Sequence, residues 1–399
     1  MTDKWNLPIQ PVTRNVLVKM TDEKRNHTQA SSSHVLLREA RLDDDGQICV
    51  LMRSISMPGS ISLTVDCEPS FFKAIEVEGN ERRVIVGESN QQIVGVCLMA
   101  KRRMFLNGTP TDVGYMSSLR IQPLIRSKTH IIQGVQIFRQ WHKESFGVPF
   151  YLFAVLQDNL VARNVLTSGL FGLPVSKEVG TLYAAAIPLI KRCSPCLPDG
   201  IRVVRGGAVG AVKIAEFLNR AGSEKQFYPV YTADDILADN QILQGLHLDD
   251  FYIALSGDRI VGVIACWNQL SFRRTLVTGY SGYIRWLKQF IAPLVKALHM
   301  APIPNPGEAF KNVFAACIAI AGNDQRIFKV LLDTILQDEY NTGKTFLMVG
   351  LMEGDPLLPV LRKYLHVPIR TCIYAWAWDG LDAVNQLDGR LPYLELGGL

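Results

Sequence analysis

Long apolar runs are missing from this chain of 399 residues. Its longest clean one, Val313–Ala321, has nine residues, against about 20 for a helix that crosses a bilayer, so no spanning helix is expected. The first 30 residues are polar and mixed in charge, without the apolar core of a secretory signal. Charge of one sign is thin as well: 42 basic and 37 acidic residues leave +5. Nucleic-acid binding needs a concentrated basic face, so it is not expected, whereas a small anionic ligand suits the excess. Histidines number seven, and none pairs with a Cys, Ser or carboxylate at the spacing of a metal site or a catalytic triad. No metal is therefore expected. Of eight cysteines only Cys193 and Cys196 are spaced as a ligand pair; a structural zinc needs four ligands, and no second pair exists. The pair sits in the proline-rich stretch Pro188–Pro198 rather than at the start of a helix, so it reads as linker. Several other cysteines fall in strand-like apolar runs, as reduced core residues do, and a reduced cytoplasmic protein is the simplest expectation. Nucleotide loops are absent too. Gly206–Gly210 lacks the GxGxxG spacing, and five residues before Gly343-Lys344-Thr345 stands Asp338 rather than a glycine.

What is present is ordinary globular composition, 48% apolar and 20% charged, in a length that suggests two domains. Residues 1–33 form a polar arm. A strand pattern follows at Val35–Leu42, then an acidic cap at Asp43–Asp45 and a helix to about Ser54. Pro69–Glu78 reads as a second helix, Arg83–Glu88 and Ile93–Met99 as a hairpin, and Val113–Ile121 as a strand stopped by Pro123. Ile131, Val135, Phe138 and His142 share one face of a helix over Ile131–Lys143. A strand at Phe150–Leu156, a helix at Asn159–Ser168 and a strand at Thr181–Ile187 complete the series. Then the pattern restarts. Leu36-Leu37-Arg38 recurs as Val203-Val204-Arg205, and Ile93-Val94-Gly95-Val96 as Ile260-Val261-Gly262-Val263, both at an offset of 167 residues. One domain duplicated in tandem explains this: a first domain over 34–190, a linker at 191–200, and a second domain over 201–399. An insertion at about 272–308 shifts the second copy by roughly 30 residues, after which strands and helices resume from Val313 to Trp376. A hairpin meander running into helical crossovers makes the fold class α+β, each domain a mixed, mostly antiparallel sheet flanked by helices.

The stretch Tyr115–Trp141 carries the chemistry. A strand ends at a proline, a loop with Arg126, Lys128 and His130 follows, and an amphipathic helix begins. Unpaired N–H groups and the positive dipole end make a helix start an anion site, and the basic loop suits a pyrophosphate. Leu119-Arg120-Ile121-Gln122-Pro123, Arg126 at the loop's start, and Asn159-Leu160-Val161-Ala162 at the next helix start together resemble the GNAT family of CoA-dependent N-acyltransferases. The likeness covers about 35–190 and, more weakly, 201–378. It implies two tandem GNAT-like domains. It further implies an acetyl-CoA or other acyl-CoA co-substrate whose acyl group passes directly to an amine, small molecule or peptide, held between them. Backbone N–H groups of Leu119, Arg120 and Ile121 would stabilise the oxyanion. Arg126, Ser127, Lys128, Thr129, His130 and Ile131 would wrap the pyrophosphate. Asn159 would fix the pantetheine arm, with Arg163 assisting the phosphates.

Departures from the family pattern are specific. Thr129 and Ile131 stand where glycine is usual, and Ser117 and Ser118 where an acidic base is often carried. Leu166 takes the place of a tyrosine that protonates the leaving thiolate. Tyr115 and His130 are the remaining proton handlers near the loop. A non-catalytic ligand-binding or scaffold protein with the same fold is the rival reading, and long-chain acyl transfer a lesser one. The second copy, with its weaker loop Ala321–Arg326, reads as a degenerate wall of the substrate cleft. Within the insertion, Ile284, Leu287, Ile291, Leu294 and Leu298 make an apolar stripe expected to pack on the protein itself, as a lid or in a homodimer contact.

Overall fold

The computed structural model describes residues 35–57, 61–125, 128–237, 241–282 and 304–399. Its strands are β1 (Leu36–Glu39), β2 (Ile61–Asp66), β3 (Glu81–Ser89), β4 (Gln92–Leu106), β5 (Thr109–Ile121), β6 (Tyr151–Leu156), β7 (Val175–Pro188) and β8 (Ile201–Arg205). They continue as β9 (Phe251–Ser256), β10 (Arg259–Trp267), β11 (Arg274–Tyr280), β12 (Ala309–Phe310), β13 (Asn312–Ile320), β14 (Phe346–Met352) and β15 (Val367–Ala377). Turn chemistry sets the first meander. Asn90 and Gln91 both take positive φ between β3 and β4, and Asn107-Gly108 does the same between β4 and β5. Two-residue turns of this hand match the twist of the strands they join.

Twelve strands form one sheet in the order β1-β3-β4-β5-β6-β15-β7-β14-β13-β10-β9-β8. Every pairing is antiparallel except β5 with β6 and β13 with β14. The class is thus α+β with a mostly antiparallel sheet, and both halves of the chain contribute to a single sheet rather than to one each. Read inward from either edge, the order is the same: an edge strand, a hairpin, a long strand, then a parallel neighbour. At the centre the closing strands cross over. β6 pairs with β15 of the C-terminal half, and β14 pairs with β7 of the N-terminal half. Val35–Leu399 accordingly forms one compact unit.

Helices cover both faces. The helix Lys128–Trp141 buries Val135, Phe138 and Trp141 against Met99, Met116 and Phe153. On the other face, helices Asp45–Ser54 and Ala211–Gly222 pack into the larger core. In the C-terminal half, helix Gln325–Glu339 buries Ile327, Phe328, Leu331, Leu332 and Ile335. The helix expected over Pro69–Glu78 is instead a single turn, Phe71–Ala74, and a tighter turn, Glu76–Glu78, whose Val77 and Glu78 are drawn into the interior. A second sheet, β12-β11-β2, has no counterpart in the sequence reading. Its β2 pairs along its length with β11, more than 200 residues away, which local pattern cannot reveal. The stripe of 284–298 lies outside the described residues.

Candidate functional site

β5 makes the site by leaving its neighbour. It pairs with β6 only over Gly114–Met116; beyond that point β6 keeps only β15, its partner on the other edge from Tyr151 to Leu156, while β5 stays with β4 to Ile121. A fork opens between them. Gly114 allows the close approach at its base, since a Cβ there would lie 2.2 Å from the Tyr151 ring. Just past the fork β5 carries a bulge. Cys97 of β4 faces both Ser118 and Leu119, and Ser118 adopts φ of 55°. A bulge with one residue at positive φ swings the next N–H groups off the ladder direction. Among the described residues no side chain accepts from the Ser118 or Leu119 N–H.

The C-terminal half repeats this geometry with the opposite outcome. β13 pairs with β14 only to Ala315, and Ile264 of β10 faces both Cys317 and Ile318, with Cys317 at φ of 51°. Here the fork is filled by the protein's own chain. Glu395 Oε2 accepts from the Cys317 N–H at 2.7 Å, and the Tyr393 hydroxyl oxygen accepts from the Ile318 N–H at 3.2 Å. Tyr393 in turn donates to Glu395 at 2.8 Å. The turn Leu396–Gly398 then packs on β13 and β14, and Gly397 lies so near Trp267 that a Cβ would meet its ring at 2.6 Å. The Gly397 carbonyl accepts from Gln269 at 2.6 Å. Burial pushes the Glu395 carboxyl up, against the pull of these donors and of Arg102.

In the N-terminal half a carboxylate also reaches β5, but from the side. Glu78, 6% exposed, accepts a short hydrogen bond from the Ser117 hydroxyl, one residue before the bulge. Arg273, which immediately precedes β11, places its guanidinium 4.0 Å from the other Glu78 oxygen. Burial raises the Glu78 carboxyl, and Arg273, the Ser117 bond and Arg82 oppose it in that order. Tyr115, two residues before Ser117, is pushed far up by burial and by the Glu78 charge, so its hydroxyl stays protonated. Glu78 was not among the residues singled out from sequence. It sits in an unremarkable acidic segment, and only the Ser117 contact, 39 residues along the chain, sets it apart.

The residues expected from sequence are distributed around the fork. Leu119 lies on the bulge, while Arg120 and Ile121 pair back with Val96 and Gly95. Arg120 donates to the Leu119 carbonyl at 2.9 Å, and its buried Nε has no partner among the described residues. Arg126 and Ser127 lie outside the described residues. Lys128, Thr129, His130 and Ile131 form the first turn of the helix that follows, with Thr129 exposed and Ile131 packed toward the Met116 side of the sheet. His130 Nδ1 is 2.9 Å from the Ile125 carbonyl oxygen. Asn159 caps helix Leu160–Leu166, accepting from the Ala162 N–H at 3.2 Å. Arg163 donates to the Tyr374 hydroxyl at 3.1 Å and to the Gln157 carbonyl at 3.2 Å, so β15 of the other half holds it. The Leu166 carbonyl accepts from Trp376 at 2.9 Å. Gly207, in the rejected dinucleotide-like loop, donates to Asp249 at 3.0 Å and is satisfied within the protein. No cluster of three or more potential metal ligands exists among the described residues, and no described helix is long and apolar enough to cross a membrane.

No protein-family model matches the sequence, and no curated protein matches it either. Solved structures do match in shape. The chain is similar to a GCN5-related N-acetyltransferase from Sphaerobacter thermophilus, with a TM-score of 0.54 at 12% identity over 92% of this chain and 98% of that one. It is also similar to N-myristoyltransferase of Saccharomyces cerevisiae with bound myristoyl-CoA. One structure of that enzyme gives a TM-score of 0.55 at 11% identity over 89% of this chain and 81% of that one. Another gives 0.55 at 10% identity over 89% and 85%.

Proposed function

We propose that this chain, which has the fold of the GNAT N-acyltransferases, transfers an acyl group from acyl-CoA directly to an amine at the fork between β5 and β6. The observation that carries this reading is the contrast between the two bulges. In the C-terminal half, the N–H groups of Cys317 and Ile318 are already taken by oxygens of Glu395 and Tyr393. In the N-terminal half, the matching bulge at Ser118 and Leu119 lies just past the point where β5 and β6 part, and no described side chain takes its two N–H groups. They are suited to a thioester carbonyl oxygen, and more so to the oxyanion that forms when an amine attacks it. The duplicated pattern of sequence, repeated in the order of strands and in the bulge, supports two tandem copies of one domain, of which the first is the working one.

Arg126, Ser127 and the helix start Lys128–Ile131 would receive the pyrophosphate, and the Asn159 turn would line the pantetheine arm. Phe153, on β6 beside the fork, stacks on Tyr374 with ring centroids 5.2 Å apart and packs at a tilt against Trp376 at 4.6 Å. Such filled packing supports a short acyl group, acetyl first. The reaction gives an amide and free CoA thiol, with the fork supplying orientation and charge stabilisation. A second reading, a protein that binds acyl-CoA without turning it over, is favoured by Leu166 at the position of the usual thiolate-protonating tyrosine.

Titration calorimetry with acetyl-CoA and longer acyl-CoAs, with and without Arg126→Glu, tests the binding half of the proposal. Loss of binding in the variant is expected. Release of free thiol in the presence of amines tests the chemistry. Leu119→Pro removes one N–H at the bulge and is expected to lower kcat by about 10²–10³-fold with the acyl-CoA affinity changed far less. Binding without thiol release across an amine panel would favour the non-catalytic reading.

A further inference from the structure

We propose that Glu78 is the general base of this site and that Arg273 is its positioning residue, supplied by the C-terminal half; the inference rests on the acyltransfer reading above. Three observations place a carboxylate at the right point. Glu78 is buried, it is hydrogen-bonded to Ser117, and Ser117 directly precedes the bulge at Ser118 and Leu119. Tyr115 packs on the sheet face opposite the helix Lys128–Trp141, and Ser117, two residues further along the strand, shares that face. Ser117 itself cannot take a proton from an ammonium. By holding Glu78 it puts an acid–base group from the turn Glu76–Glu78 beside a strand that carries none of its own.

The Glu78 carboxylate takes one proton from the substrate ammonium, and the freed amine nitrogen forms a bond to the thioester carbon. The C–S bond then breaks, a second proton passes from nitrogen to the departing thiolate, and the amide keeps the third. Glu78 returns its proton to solvent before the next cycle.

Arg273 reaches Glu78 because β11 pairs with β2 across the two halves, with Arg274 next to it bonded to the buried Asp66. Arg82 on β3 adds a second positive charge, and Cys97 and Tyr115, both kept neutral by burial, lie within range of the Glu78 charge. Positive charge favours the ionised base, so removal of Arg273 moves its titration to higher pH. A general base contributes about 10²–10⁴-fold to such a step.

The test is the pH profile of kcat for wild type, Glu78→Gln, Glu78→Asp and Arg273→Gln, alongside calorimetric acyl-CoA affinity and the thermal midpoint of each. Glu78→Gln is expected to bind acyl-CoA as wild type does, to lose 10²–10⁴-fold in kcat and to lose the acid limb of the profile. Glu78→Asp should regain part of the rate. Arg273→Gln should keep the limb and shift it to higher pH, a readout that also serves if Glu78→Gln does not fold. Wild-type turnover with Glu78→Gln within twofold of it, or an acid limb unmoved in Arg273→Gln, overturns the assignment alone. Wild-type binding without turnover of any amine overturns the acyltransfer reading and the assignment with it.

Discussion

Asp44 and Glu78 are both buried carboxylates, and they differ in what meets them. Arg38 donates to both oxygens of Asp44, at 2.7 and 2.8 Å, and holds that carboxyl below its ordinary range. Its contribution is therefore full above the unfolded pKa, near 4, and lost as pH falls through the lower folded value. Asp44→Asn is expected to cost about 1–3 kcal/mol in urea unfolding at pH 7, with the gap to wild type closing in acid. Glu78 has the reverse sign. Burial raises its folded pKa, so the wild type loses stability as pH rises from the unfolded value through the folded one. Glu78→Gln escapes that loss, and its unfolding midpoint relative to wild type should climb across the same interval. A gain in stability with a loss of rate is the pattern expected of a strained functional group. The strand position of Leu119 and the helix-start position of Asn159 were legible in sequence, because both follow from local patterns. Glu78 was not, because nothing within its own segment marks it.

A strand that serves two neighbours in turn needs its residues graded along its length. β5 begins in a turn at Asn107-Gly108, runs paired on both sides through Gly114–Met116, and then bulges at Ser118. Gly114 is the position at which β5 and Tyr151 touch most closely. Gly114→Ala would force the ring or the strand aside, at about 1–3 kcal/mol by analogy with other overpacked cores. Because the displaced ring belongs to β6, the fork should distort as well. Lower acyl-CoA affinity by calorimetry together with a lower thermal midpoint is expected; unchanged affinity would detach the fork's geometry from binding. Hairpins, the long amphipathic helices and the proline stop at Pro123 were readable from period and turn chemistry. The splaying of β5 from β6 was not, since pairing partners are absent from a one-strand pattern.

At the scale of the molecule, the exchange of closing strands decides how the halves depend on one another. β7 lies between β15 and β14, and β6 meets β15, so each half's sheet is completed by the other. A fragment of residues 34–190 would leave β6 with one open edge and β7 without either neighbour. Exposed, apolar strand edges of this kind aggregate. The fragment is expected to be insoluble or unfolded by circular dichroism, and the intact chain to unfold in a single calorimetric transition. Two resolved transitions would mean that the halves hold together more loosely than the shared sheet implies.

The sequence by itself determined most of the elements of the large sheet, the α+β class, the internal repeat and the likeness to an acyltransferase fold, because periodicity, turn residues and short motifs are written within a few residues of one another. The tertiary structure alone decided three further things: that the halves share one sheet, that Glu395 and Tyr393 fill one bulge while its twin faces a fork, and that Glu78 stands beside Ser117 and Arg273. Each depends on contacts between distant segments, whose free energy comes from burial and pairing that no local pattern encodes.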